Sequence, residues 1–212
     1  MNWTTLKVTP RKMANIFIIS APSGCGKTSL VKALIDEVPD LCVSISHTTR
    51  KPRPGEVNGV NYHFISKEKF NDMSAEGAFV EHAEVFGNYY GSSKESIAKQ
   101  LNQNKDVILE IDWQGAQQVK SNVAALSVFI MPPSKDELLS RLKGRGQDSQ
   151  EVIEKRMADA EDEMSHFYEF DFLVFNDDFS TALNDIKHII FSARLTLKEQ
   201  SHKYNNLLKQ LI

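Results

Sequence analysis

Cysteines and long hydrophobic runs are scarce in this sequence. Of its 212 residues only Cys25 and Cys42 are cysteines, and neither lies in a C-x-x-C motif or a Cys/His cluster, so zinc and redox chemistry are not indicated. No stretch approaches the roughly 20 apolar residues of a membrane span. The formal net charge of -3 gives no overall basic excess. We therefore expect a cytoplasmic protein without a nucleic-acid or membrane partner.

Repeats and low-complexity segments are also lacking, which favours one compact unit. Residues 1–13 contain three basic side chains but no apolar stretch of signal-peptide length. We interpret them as an N-terminal extension and residues 14–212 as the domain.

Short apolar runs alternate with helical segments along the chain. The runs lie at residues 15–20, 42–46, 107–111, 127–131 and 172–175, and the last helix is predicted over residues 181–212. This alternation predicts a doubly wound α/β fold, with ligands at the carboxyl ends of parallel strands. Residues 50–91 interrupt the pattern with turn signals around two strand-like runs, at 62–65 and 79–85, and predict a small antiparallel subdomain.

A phosphate-loop pattern follows the first predicted strand and opens the first predicted helix. Gly24 and Gly26 permit backbone N–H groups to converge on phosphate oxygens, Lys27 adds charge, and Thr28 is suited to Mg²⁺. Ala21 occupies the position of the first glycine of the general pattern. The residues predicted to bind ATP here are Ala21, Pro22, Ser23, Gly24, Cys25, Gly26, Lys27, Thr28 and Ser29. By itself this loop leaves ATPase, GTPase, motor and small-molecule kinase open.

Other segments carry a more specific resemblance. Residues 46–59 read Ser-His-Thr-Thr-Arg-Lys-Pro-Arg-Pro-Gly-Glu-Val-Asn-Gly, and residues 87–92 read Gly-Asn-Tyr-Tyr-Gly-Ser. With residues 110–115, 141–145 and 176–178, they resemble the guanylate kinase family from about residue 15 to 194. The resemblance implies ATP-dependent phosphorylation of GMP or dGMP, with Mg²⁺ accompanying ATP and no organic cofactor. It also implies a core at about 14–49, 92–133 and 169–212, a GMP-binding insert at 50–91 and a helical lid at 134–168.

The resemblance assigns the acceptor site residue by residue. The residues implied in GMP binding are Ser46, Arg50, Arg53, Tyr62, Glu81, Tyr90, Ser92 and Asp112. Arginine forks suit phosphate oxygens, and a carboxylate can accept from the N1 and N2 donors of guanine. Without the resemblance, the basic loop could be a solvated loop and Glu81 an outward-facing carboxylate.

The remaining implied residues surround the transferred phosphate. Glu110 is expected near Mg²⁺ with Thr28, directly or through water, although the pair Glu110 and Asp112 could instead cap a strand end. Asn176 resembles an adenine-side contact. The catalytic set is Lys27, Arg50, Arg141, Arg145 and Arg156, the last three on the lid. A solvated helix face explains the lid arginines equally well by spacing alone.

Two rival functions remain at this stage. A kinase for another nucleoside monophosphate would share the phosphate loop but not the carboxylates suited to guanine. A guanylate-kinase-like protein-binding module would lack a working loop, whereas Lys27, Thr28, Arg50 and Arg53 are all present. Oligomeric state stays open, because leucines near residue 212 could pack on the chain's own core or on a second copy in a homo-oligomer.

Overall fold

The computed structural model describes residues 14–85, 87–144 and 150–212. Arg145 and the extension predicted for residues 1–13 lie outside the described residues. The strands are β1 (Ile16–Ser20), β2 (Leu41–Val43), β3 (His47–Thr48), β4 (His63–Phe64), β5 (Phe79–Val85), β6 (Asn88–Ser93), β7 (Asp106–Glu110), β8 (Leu126–Met131) and β9 (Phe172–Phe175). The α-helices are α1 (Lys27–Glu37), α2 (Lys67–Ala75), α3 (Lys94–Asn102), α4 (Trp113–Asn122), α5 (Lys135–Lys143), α6 (Gln150–Ser165), α7 (Phe179–Arg194), α8 (Leu197–Lys203) and α9 (Asn205–Leu211).

Five strands form a parallel sheet in the order β2-β7-β1-β8-β9. The chain leaves central β1 in one direction towards β2 and later crosses to the other side at β8, which is the doubly wound arrangement predicted from the sequence. Ligands of such sheets bind beside the strand where the direction changes, beyond the carboxyl ends. The phosphate loop follows β1, and Glu110 ends the neighbouring strand β7. The sheet therefore brings these two parts of the predicted site to one edge.

Both faces of this sheet are covered, which explains the continuous apolar sequence of β1. All five of its residues are buried. Phe17 and Ile19 belong to the hydrophobic cluster that includes side chains of α1 and α7, whereas Ile16 and Ile18 belong to the cluster that includes side chains of α3 and α4. Successive strand residues point to opposite faces, so one short run supplies both halves of the core.

The second sheet has the order β4-β3-β6-β5. Strands β5 and β6 form an antiparallel hairpin, and β3 pairs antiparallel with β6. This confirms the antiparallel subdomain, to which β4 adds one parallel pair with β3. The sheet extends from His47 to Ser93, a little beyond both ends of the insert expected at residues 50–91.

The single terminal helix predicted over residues 181–212 is wrong. The chain forms α7, α8 and α9 instead, and α7 ends at Arg194. Thr196 has an extended ψ of 149°, and its side chain accepts a hydrogen bond from the backbone N–H of Glu199, so it starts a new helix. Helix α7 buries five side chains in the core, whereas α8 and α9 bury none. Within the described part of the chain, no helix combines the length and apolarity needed to cross a membrane.

Candidate active site

The turn after β1 has the conformation of an anion-binding loop. Gly24 has a φ of 97° and Gly26 a φ of 83°, backbone angles that residues with a Cβ rarely adopt. Gly26 is the N-cap residue of α1, so the first N–H groups of that helix have no intrahelical partner. Ala21 needs no such freedom, because it does not have a positive φ and is buried in the core. An anion at this loop would meet both free N–H groups and the positive end of the helix dipole.

Asn176 ties the loop to the end of β9. Its side-chain Nδ2 donates to the carbonyl oxygen of Cys25 at 2.7 Å, and a Cβ on Gly26 would lie 2.7 Å from the same nitrogen. The backbone oxygen of Asn176 accepts from Nη2 of Arg141 at 3.2 Å, and Nε of Arg141 donates to Glu137 at 2.9 Å. The predicted adenine-side residue thus connects the phosphate loop with one predicted lid arginine.

Lys27 and Thr28 lie close to Glu110 at the end of β7. Burial raises the pKa of the Glu110 carboxyl above its ordinary value, while the Lys27 charge and a hydrogen bond with Thr28 act in the opposite direction. A hydroxyl and a carboxylate are hard oxygen donors that suit Mg²⁺. Within residues 14–85, 87–144 and 150–212, no three His, Cys, Asp or Glu side chains form a metal-binding group. The oxygens present fit an ion held mainly by bound phosphates, as is usual for Mg²⁺ with nucleotides.

The basic loop of the second sheet is organised by an acidic residue. Glu56 accepts two hydrogen bonds from the Arg50 guanidinium, at 2.8 and 2.9 Å, and one from the backbone N–H of Arg53 at 2.7 Å. The guanidinium carbon of Arg50 lies 5.4 Å from the ring centre of Tyr62, which meets the ring of Tyr90 edge-on at 5.9 Å. Arg50, Tyr62 and Tyr90 are therefore adjacent, while the side chain of Arg53 is exposed.

A buried carboxylate lies at the other end of this sheet. Glu81 is 4% exposed and pairs across the hairpin with Ser92, whose hydroxyl lies 3.5 Å from that of Ser46. Burial raises the pKa of Glu81 to about 7; hydrogen bonds with Ser92 oppose the rise and the nearby charge of Asp112 adds to it. Asp112 caps α4 by accepting from the backbone N–H of Gly115 at 2.8 Å. The structure thus brings together all four side chains implied in guanine binding.

Helix α6 carries an unforeseen carboxylate towards the same region. Burial raises the pKa of Glu163 to about 7, the charge of Lys27 lowers it, and the charge of Asp112 raises it further. Glu163 is therefore close enough to interact electrostatically with Lys27 of the phosphate loop and with Asp112, one of the residues implied in guanine binding. It follows the predicted lid residue Arg156 by seven positions, so both project from the same side of α6.

Comparison with known proteins agrees with this arrangement. The sequence model of the guanylate kinase family matches residues 13–193. The chain belongs to the guanylate kinase family. It is 58% identical to a guanylate kinase of Shewanella sp. (strain MR-7) and 54% identical to that of Escherichia coli (strain K12), in each case over 93% of this chain and 97% of the relative. The crystal structure of guanylate kinase from Anaplasma phagocytophilum superposes with a TM-score of 0.74 at 30% identity, covering 89% of this chain and 90% of that one.

Within this guanylate kinase framework, sequence reasoning missed three residues that surround the predicted ones. Glu56 accepts from the Arg50 guanidinium, Gly115 donates to Asp112 and leaves room for the Glu81 carboxylate, and Glu163 approaches from α6. Glu56 and Gly115 lie within segments 46–59 and 110–115, which carry the family resemblance, so these two residues had a sequence signal. Glu163 lies outside those segments, and its approach depends on how α6 packs.

Proposed function

We propose that this chain transfers the γ-phosphoryl group of ATP to GMP, giving ADP and GDP, and that it also accepts dGMP. The observation that carries the proposal is the buried Glu81 carboxylate beside Asp112 and opposite Ser92. A buried carboxylate needs hydrogen-bond donors, and the guanine edge supplies two, at N1 and N2, beside an acceptor at O6 for a serine hydroxyl. Adenine lacks the amine at C2 and has an acceptor at N1.

Each side chain has a role in this proposal. The phosphate loop from Ala21 to Ser29 and Asn176 bind ATP, with Lys27 at the β- and γ-phosphates. Arg50, Arg53, Tyr62 and Tyr90 hold the phosphate of GMP, and Ser46, Glu81, Ser92 and Asp112 hold its base. Arg141, Arg145 and Arg156 stabilise negative charge on the transferred group. Glu56 keeps the Arg50 fork oriented when no phosphate is present, because it accepts two hydrogen bonds from the guanidinium.

The reaction needs no protein nucleophile. An oxygen of the GMP phosphate attacks the γ-phosphorus of ATP in line, a new P–O bond forms, and the bond from that phosphorus to the β–γ bridging oxygen breaks, releasing ADP. The second pKa of the acceptor phosphate is about 6, so at neutral pH it is already mostly dianionic and requires no general base. The protein's contribution is to align two polyanions and to stabilise charge with Lys27 and the arginines. Mg²⁺ near Thr28 and Glu110 would supply further charge neutralisation on the ATP phosphates.

The protein-binding module is disfavoured by the state of the phosphate loop. Gly24 and Gly26 have the required conformation, and Lys27 lies at the start of α1 beside Glu110. We further propose a cytoplasmic location, because Cys25 and Cys42 are both free thiols.

A coupled assay that measures ADP release tests the function directly. With ATP and Mg²⁺ present, we expect turnover with GMP and dGMP and little with AMP, UMP or CMP. The opposite preference would overturn the proposal.

Lys27→Met should lower kcat by roughly 10²-fold or more while the melting temperature is retained, because a charge on the transferred group is lost at similar volume. Lys32→Met, on the exposed side of the same helix, is the matched control and should keep near-normal turnover. Equal activity of the two variants would remove Lys27 from the mechanism.

A further inference from the structure

Gly115 is the third residue of α4, and its backbone does not explain why it is glycine. It is absent from the glycines with positive φ and lies within a regular helix. Alanine is the most favourable residue in a helix and glycine among the least, so an alanine here would strengthen α4 on backbone grounds. The N–H of Gly115 donates to Asp112 Oδ1, a bond that alanine would also make. The reason for glycine must therefore be space.

The space beside Gly115 is occupied mainly by the carboxylates that are proposed to bind the base. A Cβ on Gly115 would lie 2.9 Å from Oε2 of Glu81, 3.2 Å from Cβ of Ile111 and 3.3 Å from Oδ1 of Asp112. Non-bonded heavy atoms with a carbon partner are comfortable at about 3.5–4.0 Å. The closest approach therefore involves the Glu81 carboxylate, and the third involves the carboxylate of Asp112.

The Glu81 carboxylate is also the part that would yield. It is the far end of a side chain, whereas Ile111 Cβ is fixed to the backbone and needs to move only by tenths of an ångström. Glu81 is 4% exposed and engaged with Ser92, so it can move only within a confined space. An added methyl group would thus displace the carboxylate and leave the fold in place.

We propose that Gly115 is a positioning residue for guanine recognition: its missing side chain allows the Glu81 carboxylate to lie against α4 beside Asp112, where both face the donors of the base. This inference rests on the proposed function. It also explains why Glu81 is held beside Asp112 although the charge of Asp112 disfavours ionisation of Glu81. The donors of the bound base offset that repulsion, so the arrangement serves binding at the expense of the empty protein.

The test compares Gly115→Ala with Ser121→Ala, which also improves helix propensity but lies on the exposed side of α4. Neither variant should melt below the wild type, and both should keep its ATP affinity. Gly115→Ala should lower kcat/KM for GMP by on the order of 10- to 100-fold, the range expected for a disturbed hydrogen bond to a charged group. The loss should be smaller with inosine monophosphate, which lacks only the exocyclic amine of guanine.

A double-mutant cycle identifies Glu81 as the side chain through which Gly115 acts. Glu81→Asp shortens the side chain by one methylene, so Gly115→Ala should cost less activity in that background than in the wild type. Equal losses with GMP and inosine monophosphate, additive effects in the cycle, or parallel loss of ATP affinity would overturn the role of Gly115. Each of these results is compatible with normal wild-type turnover of GMP. Absence of that turnover would overturn the proposed function and this inference with it.

Discussion

Glu81, which we propose binds the base, illustrates how one side chain can favour binding and oppose folding. Its burial beside Asp112 raises the pKa to about 7. In the empty protein the ionised carboxylate lacks water and faces a like charge, so folding is opposed at neutral pH. A bound guanine would supply the missing donors. The same side chain should therefore show opposite effects on stability and on activity when it is neutralised.

Glu81→Gln should stabilise the ligand-free protein above pH 7 but not near pH 4.5. The folded pKa lies above the unfolded value, so both states are protonated at low pH and no penalty exists. As pH rises from about 4.5 to about 7 the unfolded chain ionises first, and wild-type stability falls. Above that window the penalty persists in full, whereas glutamine never ionises. In thermal denaturation, the melting temperature of the variant should exceed that of the wild type at pH 8 and differ little from it at pH 4.5. Each kcal/mol of removed ionisation penalty should raise the melting temperature by roughly 2–4 °C.

A gain in melting temperature that is equal at both pH values would contradict the assigned ionisation. So would a variant that is less stable than wild type at pH 8. Ser92→Ala provides a control for the loss of one hydrogen bond at the same place, because it keeps an ionisable carboxylate; without that opposing hydrogen bond, the pKa of Glu81 should rise further and the pH dependence of stability should remain.

At this scale, the residue types of the site could be predicted more reliably than their surroundings. The alternation within β5 left open whether Glu81 faces solvent. In the structure Phe79, Val80 and Glu81 are buried in succession, because an irregularity in the register with β6 lies between Phe79 and Glu81. The position of such a bulge depends on the partner strand and on packing against α4. Neither can be read from the local sequence of β5.

Among the elements, α5 has a double role. It carries Arg141, and it packs Leu138 and Leu142 into the main core. A Cβ on Gly24 would lie 3.0 Å from Leu138 and 3.1 Å from Leu142, so this helix supports the phosphate loop from behind. This helix falls within the helical lid expected at residues 134–168, but the loop against which it packs could not be read from the sequence.

Leu142→Ala should therefore weaken ATP binding as well as stability. Truncating a buried leucine costs about 2–5 kcal/mol, and here the cavity would open directly behind Gly24. Leu101→Ala is the matched control, because Leu101 is buried on α3 in the other cluster. Both variants should melt at lower temperature, but only Leu142→Ala should raise the dissociation constant for ATP in equilibrium titration. Equal ATP affinities in the two folded variants would show that α5 does not support the loop.

The C-terminal elements show where helical periodicity misleads. Residues 181–212 contain enough apolar residues to predict one helix, yet Thr196 caps a new helix at α8. Capping by threonine competes with helix continuation wherever tertiary packing does not decide between them. Since α8 and α9 bury no side chains, packing does not decide here.

For the whole molecule, the proposed function places one substrate at each of the two sheets. The parallel sheet presents the phosphate loop and Glu110 at one edge, and the second sheet carries Glu81 on β5, with Arg50 in the loop after β3. The strand–loop–helix order of the phosphate loop and the turn-rich insert predicted this division, because both signals are local in sequence. The approach of Glu163 to Lys27 and Asp112 was not predictable in the same way, since it depends on how α6 folds back over the sheet edge.

The central claim is that a phosphate-loop enzyme selects guanine through Glu81. Its most direct test is the ratio of kcat/KM for GMP to kcat/KM for AMP. We would measure kcat/KM for GMP and for AMP with the wild type and with Glu81→Gln. A site built around such pairing can discriminate by up to roughly 10⁴ to 10⁵, so GMP should be preferred overwhelmingly by the wild type. In the variant the ratio should shrink, mainly through lost GMP activity, because glutamine offers one acceptor and adds a donor. A GMP-to-AMP ratio that is unchanged by Glu81→Gln would contradict the account.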